Sequence, residues 1–127
     1  GAHGPTFGGQ AVAAAAAHGT LGLLEGGLQE NAARLGEFLL AELRALKRRF
    51  PFLGDVRGRG LMIGLDFGDP DHPQPDLRDK AVRLAFEKGL LLLPAGPSAL
   101  RIAPPLVLTQ EEAALGLELL DEVFRAL

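Results

Sequence analysis

The sequence predicts an α+β fold, a small and largely antiparallel sheet covered on one face by helices. Three observations carry that expectation. Leu28, Ala32, Leu35, Leu39, Leu43, Leu46 and Phe50 recur at spacings of three and four, the period of an amphipathic helix. Leu61, Ile63, Leu65 and Phe67 alternate with Met62, Gly64 and Asp66, the two-residue period of a half-buried strand. The elements then follow one another as helix, helix, strand, helix, strand, strand, helix, without the regular strand-helix alternation of a parallel sheet.

Composition bounds the function. At 127 residues and 47% hydrophobic content the chain suits one folded unit with a real core. A net charge of -3 gives no broad electrostatic reason to bind nucleic acid or an anionic membrane, so any anion site must be local. Without cysteine there is neither disulfide nor thiolate chemistry, which fits a cytoplasmic protein. His3, His18 and His72 are too scattered for a metal site, and none is expected. No apolar run approaches a membrane span, and no leader pattern opens the chain. The only methionine is Met62, so the sequence is expected to be a piece of a longer protein.

Taken in order, residues 10–25 are an alanine-rich helix interrupted by Gly19 and Gly22 and ended by Gly26-Gly27. Its small-residue surface has no obvious partner in so small a unit. Residues 28–49 form the long amphipathic helix, stopped by Pro51. Gly54 to Gly60 reads as a turn-rich approach to the strand beginning at Leu61, and Gly68 to Pro75 as a surface loop. Asp76 is expected to cap a helix with Ala81, Leu84 and Ala85 on its apolar face, which stops at Gly89. Leu90 to Leu93 reads as a buried strand, Pro94 to Ser98 as a turn, and Ala99 to Ala103 as a partner strand. Thr109-Gln110-Glu111-Glu112 has the form of a capping box for a last helix carrying Ala113, Leu117, Leu120, Phe124 and Leu127.

Two places could carry chemistry. His3-Gly4-Pro5-Thr6-Phe7-Gly8-Gly9-Gln10 sets a hydroxyl and two glycines just ahead of a helix N-terminus, where free N–H groups and the aligned peptide dipoles favour an anion. Taken alone, the stretch fits a frayed glycine-rich terminus better than an anion site. Arg101 stands between Leu100 and Ile102, so the strand period sends its guanidinium to the opposite face, where its fork of donors suits a carboxylate. An ordinary solvent-facing arginine would show the same spacing. Arg57 and Arg59 lie in glycine-rich chain and are expected to be solvated or paired locally, for example with Asp55.

Four stretches together resemble one family. His3 to Gly9 is similar to the signature loop, with Thr-Phe-Gly-Gly at its centre, of class III pyridoxal-phosphate-dependent aminotransferases, the group of the 4-aminobutyrate, ornithine and acetylornithine aminotransferases. Gly54-Asp55-Val56-Arg57-Gly58-Arg59-Gly60-Leu61-Met62-Ile63-Gly64 resembles the strand leading into the family's small domain. Lys88 to Pro94 followed by Leu100-Arg101-Ile102-Ala103-Pro104-Pro105-Leu106 resembles its last strands, and Thr109 to Glu112 its final helix.

That resemblance implies the C-terminal portion of a fold-type I enzyme. Residues 1–27 would close the large domain with a phosphate loop and helix, and residues 28–127 would form the small domain. It implies that Thr6 binds the phosphate of pyridoxal 5'-phosphate in the partner subunit of a homodimer, and that Arg101 holds the carboxylate of a small amino or oxo acid. The catalytic lysine of the family lies upstream of the signature loop, and Lys47, Lys80 and Lys88 stand in no similar context, so no catalytic residue is expected in this chain and no transamination by it alone. Gln10-Ala11 replaces the family's usual Asn-Pro. Pro5 replaces a serine common in acetylornithine enzymes, which ranks that substrate below 4-aminobutyrate or ornithine. An amino-acid racemase of the same family and a non-catalytic dimerisation module are the competing expectations.

Overall fold

A computed structural model of the chain describes Gly4 and residues 6–127; His3 and Pro5 of the glycine-rich opening lie outside the described residues. Helix α1 spans Ala11–Leu23 and is followed by one wide turn, Leu24–Leu28. Gly27 in that turn has φ 120° and ψ -6°, which lies outside helical space and kinks the chain. Helix α2 then runs Gln29–Arg49, strand β1 Leu53–Arg59, β2 Met62–Phe67, helix α3 Pro75–Glu87, β3 Leu93–Ala95, β4 Ala99–Ile102 and α4 Gln110–Arg125. The expected break at the paired glycines is therefore present, and its physical basis is one residue in a conformation that glycine alone adopts easily.

All four strands join one open antiparallel sheet in the order β1-β2-β4-β3. Its inner face carries Val56, Ile63, Leu65, Phe67 and Leu100, all buried. Helix α2 lays Leu35, Leu39, Leu43 and Leu46 on that face, α3 adds Ala81 and Ala85, and α4 closes the layer with Ala113, Leu120, Val123 and Phe124. Each large apolar side chain so buried contributes about 1.5–3 kcal/mol before conformational entropy is subtracted. Phe50, Phe52, Phe67 and Phe124 form an aromatic cluster at one end of the core, with Phe124 edge-on to Phe67 at 5.9 Å between centroids. The α+β reading and its helix-covered antiparallel sheet are what the chain adopts.

Three local expectations are corrected. Residues 54–60 are not a turn-rich approach: most belong to β1, which pairs with β2 from Leu53 opposite Phe67 to Arg59 opposite Met62. The glycines there serve close backbone approach. A side chain at Gly54 would collide with the Gly68 carbonyl and one at Gly58 with the Met62 carbonyl, and only Gly60, at φ 54°, makes the tight turn. Leu90 to Leu93 is not a buried strand. Only Leu93 belongs to β3, an edge strand, and Leu91 and Leu93 are 78% and 54% exposed. A short apolar run without alternation carries no information about which side is covered. Asp76 does not cap α3: Gln74 holds the cap position, Pro75 starts the helix, and Asp76 lies in the first turn, where its charge favours the helix dipole.

Helix α1 buries no residue and touches only the turn that follows it.

Candidate functional site

Thr6 opens an exposed turn that runs to Gly9. The Gln10 N–H donates back to the Phe7 carbonyl at 3.2 Å, Gly9 takes φ 82°, and Gln10 turns extended, at φ -60° and ψ 132°, to start α1. The Gln10 side chain makes no capping bond, and the first intrahelical bond is Ala14 N–H to the Gln10 carbonyl at 2.8 Å. Among the described residues the N–H groups of Ala11, Val12 and Ala13 have no acceptor. A hydroxyl, two glycines and three free N–H donors are thus presented by one short segment, with no carboxylate among them.

Arg101 lies on β4 between fully buried Leu100 and half-buried Ile102, and its side chain leaves by the outer face of the sheet, as the strand period required. It sits opposite Gly64 of β2 on one side and Leu93 of β3 on the other. Among the described residues it has no ion-pair partner. It lines an apolar groove of about 320 Å³ together with Leu92, Leu93, Ile102, Pro104 and Leu117. The groove's walls, such as Ile102, Leu117 and Leu120, belong to the helix-covered side of the sheet, whereas the guanidinium leaves by the outer face, where its fork of donors can hold a carboxylate.

Arg57 has a different setting. It too faces Gly64, from β1, but its Nη1 donates to Asp55 Oδ2 at 3.1 Å and its guanidinium engages both carboxylate oxygens of Asp66, Nη2 to Oδ1 at 3.1 Å. These bonds push Arg57 above the ordinary arginine range and, through Arg57, draw the Asp55 carboxyl below the ordinary carboxylate range. The expected local pairing with Asp55 is present. Asp66 was not foreseen as a partner, although its outward place in the β2 alternation, diagonal to Arg57, was readable.

Thr6 and Arg101 are not brought together within the chain, since α1 touches only the turn leading into α2. No group of three or more histidine, aspartate or glutamate side chains that could hold a metal occurs among the described residues. No helix among them is long and apolar enough to cross a membrane.

Comparison with known proteins decides the family. The model of the class III aminotransferases matches residues 1–124. The chain belongs to that family. It is 42% identical over 118 residues to the alanine/serine racemase of Pyrococcus horikoshii, covering 90% of this chain and 25% of the racemase. It is 40% identical over 130 residues to an acetylornithine aminotransferase of Synechocystis, covering 100% of this chain and 29% of that enzyme. Among solved structures it superposes on a Bacillus anthracis aminotransferase with a TM-score of 0.88 at 32% identity, over 98% of this chain and 30% of that one. An amine transaminase of an uncultivated Pseudomonas species, in its PLP-bound form, gives 0.85 at 37% identity, over 98% and 29%. The chain therefore spans about a quarter to a third of the length of the relatives it matches. Relatives named for acetylornithine lie within the same range of identity as one named for ornithine, so overall similarity does not follow the distinction drawn at Pro5.

Proposed function

We propose that this chain is the C-terminal part of a pyridoxal-phosphate-dependent aminotransferase that moves an amino group from an ω-amino acid, such as 4-aminobutyrate or ornithine, to a 2-oxo acid. Residues 1–27 complete the large domain and residues 28–127 are the small domain of a cytoplasmic homodimer. The observation that carries the reading is Arg101, unpaired among the described residues on the outer face of the sheet, in a chain of this family.

The cofactor suits the N-terminal segment. Thr6 and the free N–H groups of Ala11, Val12 and Ala13 are all donors, and a Cβ at Gly9 would meet nothing within 4 Å, so a phosphate can approach the backbone there. On the family resemblance, the phosphate served by Thr6 is that of the partner subunit. Pyridoxal phosphate, when bound, supplies an electron sink for the amine whose bonds are to be broken. Arg101 orients that amine by its carboxylate.

No proton transfer falls to the lysines of this chain. Lys80 Nζ donates to the Leu127 carbonyl at 3.3 Å and Lys88 Nζ is 2.6 Å from Glu122, both structural contacts, and Lys47 is half-buried on α2. The isolated chain is therefore inactive. Arg101→Gln in the full-length protein tests the reading: KM for carboxylate-bearing amines should rise about 10- to 100-fold, the scale of one lost charge-assisted bond. An unchanged KM would refute it.

The 42% identity to the Pyrococcus racemase favours one second reading, racemisation of an amino acid on the same cofactor. Oxo-acid-dependent amino transfer, measured beside loss of optical activity in the full-length protein, separates the two.

A further inference from the structure

The loop that carries the chain away from Arg101 is held by a side chain more than seventy residues earlier. Asn31, in the first turn of α2, donates from Nδ2 to the Leu106 carbonyl at 2.8 Å and to the Leu108 carbonyl at 3.0 Å. An amide nitrogen has two hydrogens, and each finds one carbonyl. Its Oδ1 accepts from Arg34 Nη2 at 2.9 Å, while Arg34 Nη1 donates to Gln110 Oε1 at 3.2 Å. Two acceptors on the nitrogen side and a donor on the oxygen side leave one orientation of the amide.

We infer that Asn31 is a positioning residue for Arg101, setting the carboxylate affinity of the site by fixing the Pro104–Leu108 segment against α2. The inference rests on the reading of Arg101 as the carboxylate anchor. Beyond Ile102 the sheet no longer guides the chain: Pro104 and Pro105 have no N–H to give, and the one internal backbone bond is Leu108 N–H to the Pro105 carbonyl at 3.0 Å. The clamp supplies what the sheet does not. Pro104 and Pro105 follow Arg101 by three and four residues and line the same groove, so the course of the end of β4, and with it the backbone that carries the guanidinium, depends on where Asn31 holds the loop. A displacement of about 1 Å there is enough to cost binding its geometry. Asn31 falls on the apolar stripe of α2, three residues after Leu28 and four before Leu35, and a polar residue there is a signal the sequence did carry.

The test uses the full-length protein with its cofactor and butyrate, a carboxylate without an amine, as competitive inhibitor. Asn31→Ala and Asn31→Asp, the second presenting a carboxylate to the two carbonyls, should each raise the butyrate inhibition constant by on the order of tenfold while the visible absorbance of bound cofactor is retained. A constant unchanged in both variants overturns the inference. So does loss of cofactor in parallel with butyrate affinity, the mark of a general structural role. Arg101→Gln is the control for the underlying reading: if it leaves butyrate binding unchanged, that reading fails, whereas a large effect there with none at Asn31 fails only the inference. Should the Asn31 variants not fold, Arg34→Ala removes the brace on Oδ1 together with the bond to Gln110, leaves the two Asn31 carbonyl bonds in place, and the constant must then rise by a smaller factor or the inference falls.

Discussion

Arg57 and Arg101 lie in one cross-strand row of the outer sheet face, each opposite Gly64 on the strand between them. The Arg57 guanidinium lies over β2 beside Gly64, where a Cβ would stand 3.9 Å from its Cζ, in ordinary contact. There Asp66 and Asp55 take up its charge, and Arg101 keeps its own. Asp66→Asn should therefore leave Arg57 half-paired and add a second cation to the face. Because the ion pair is largely exposed, the cost in stability is expected to stay below about 1 kcal/mol and to shrink at 1 M salt. Urea unfolding at low and high salt measures both.

The capping box of α4 gives a pH dependence. Glu112 Oε2 accepts from the Thr109 N–H at 2.9 Å and from its hydroxyl at 3.0 Å, and these bonds hold the Glu112 carboxyl below the ordinary glutamate range. A carboxyl with a depressed folded pKa adds stability that is complete above its unfolded value of about 4.3 and is lost as pH falls through the folded one. Thr109→Ala should cost about 1 kcal/mol at neutral pH and flatten the acid limb below about pH 4.5. Thermal melts from pH 7 to 3 follow the difference, and parallel acid limbs would contradict it.

Periodicity made most of this fold legible. The α2 stripe, the β2 alternation, the Thr109 capping box and the outward exit of Arg101 each follow from one local rule, and each stands as expected. What escaped depends on pairs of distant backbones. Gly54 and Gly58 read as turn residues because a glycine required by a neighbouring strand looks the same in sequence as one required by a turn. The exposure of Leu93 follows from β3 lying at the sheet edge, for which Pro94, with no N–H to give a further strand, is the one local sign. In the candidate site, Arg101 was visible because a charge in an apolar strand is conspicuous. Asn31 showed only as a polar residue on the apolar stripe of α2, and its partners, carbonyls 75 and 77 residues away, did not show at all.

Gly36 supplies a stability test with a sign that helix propensity alone would get wrong. In the middle of α2, alanine should beat glycine by about 1 kcal/mol. A Cβ at Gly36, however, would run into the Gly60 carbonyl, backbone that cannot swing aside as a side chain would. Gly36→Ala is expected to destabilise by about 2 kcal/mol or more, prising α2 from the β1-β2 turn. Gly116→Ala in α4, where a Cβ meets nothing within 4 Å, should instead stabilise by up to about 1 kcal/mol. Paired calorimetry of the two variants checks the contrast.

Gly27 governs where α1 points. At φ 120° it holds a backbone conformation that an L side chain resists, while a Cβ there would meet no atom within 4 Å, so the cost of Gly27→Ala is one of backbone alone. The chain can relieve that cost by running α1 straight into α2 as one helix. Little stability is then lost, because α1 buries nothing, but Thr6 and the free N–H groups beside it swing away on a lever of thirteen residues. In the full-length protein the expected result is a cofactor dissociation constant raised more than tenfold, on the proposal that Thr6 serves the phosphate, while urea unfolding of the isolated chain shifts by no more than about 2 kcal/mol. Gly26→Ala, one residue earlier and without a positive φ, should bind cofactor normally. Equal cofactor affinity in the two variants would mean that the kink does not position Thr6. A large loss of stability in Gly27→Ala would mean that α1 cannot straighten, and that the direction of the helix is fixed by more than this one glycine.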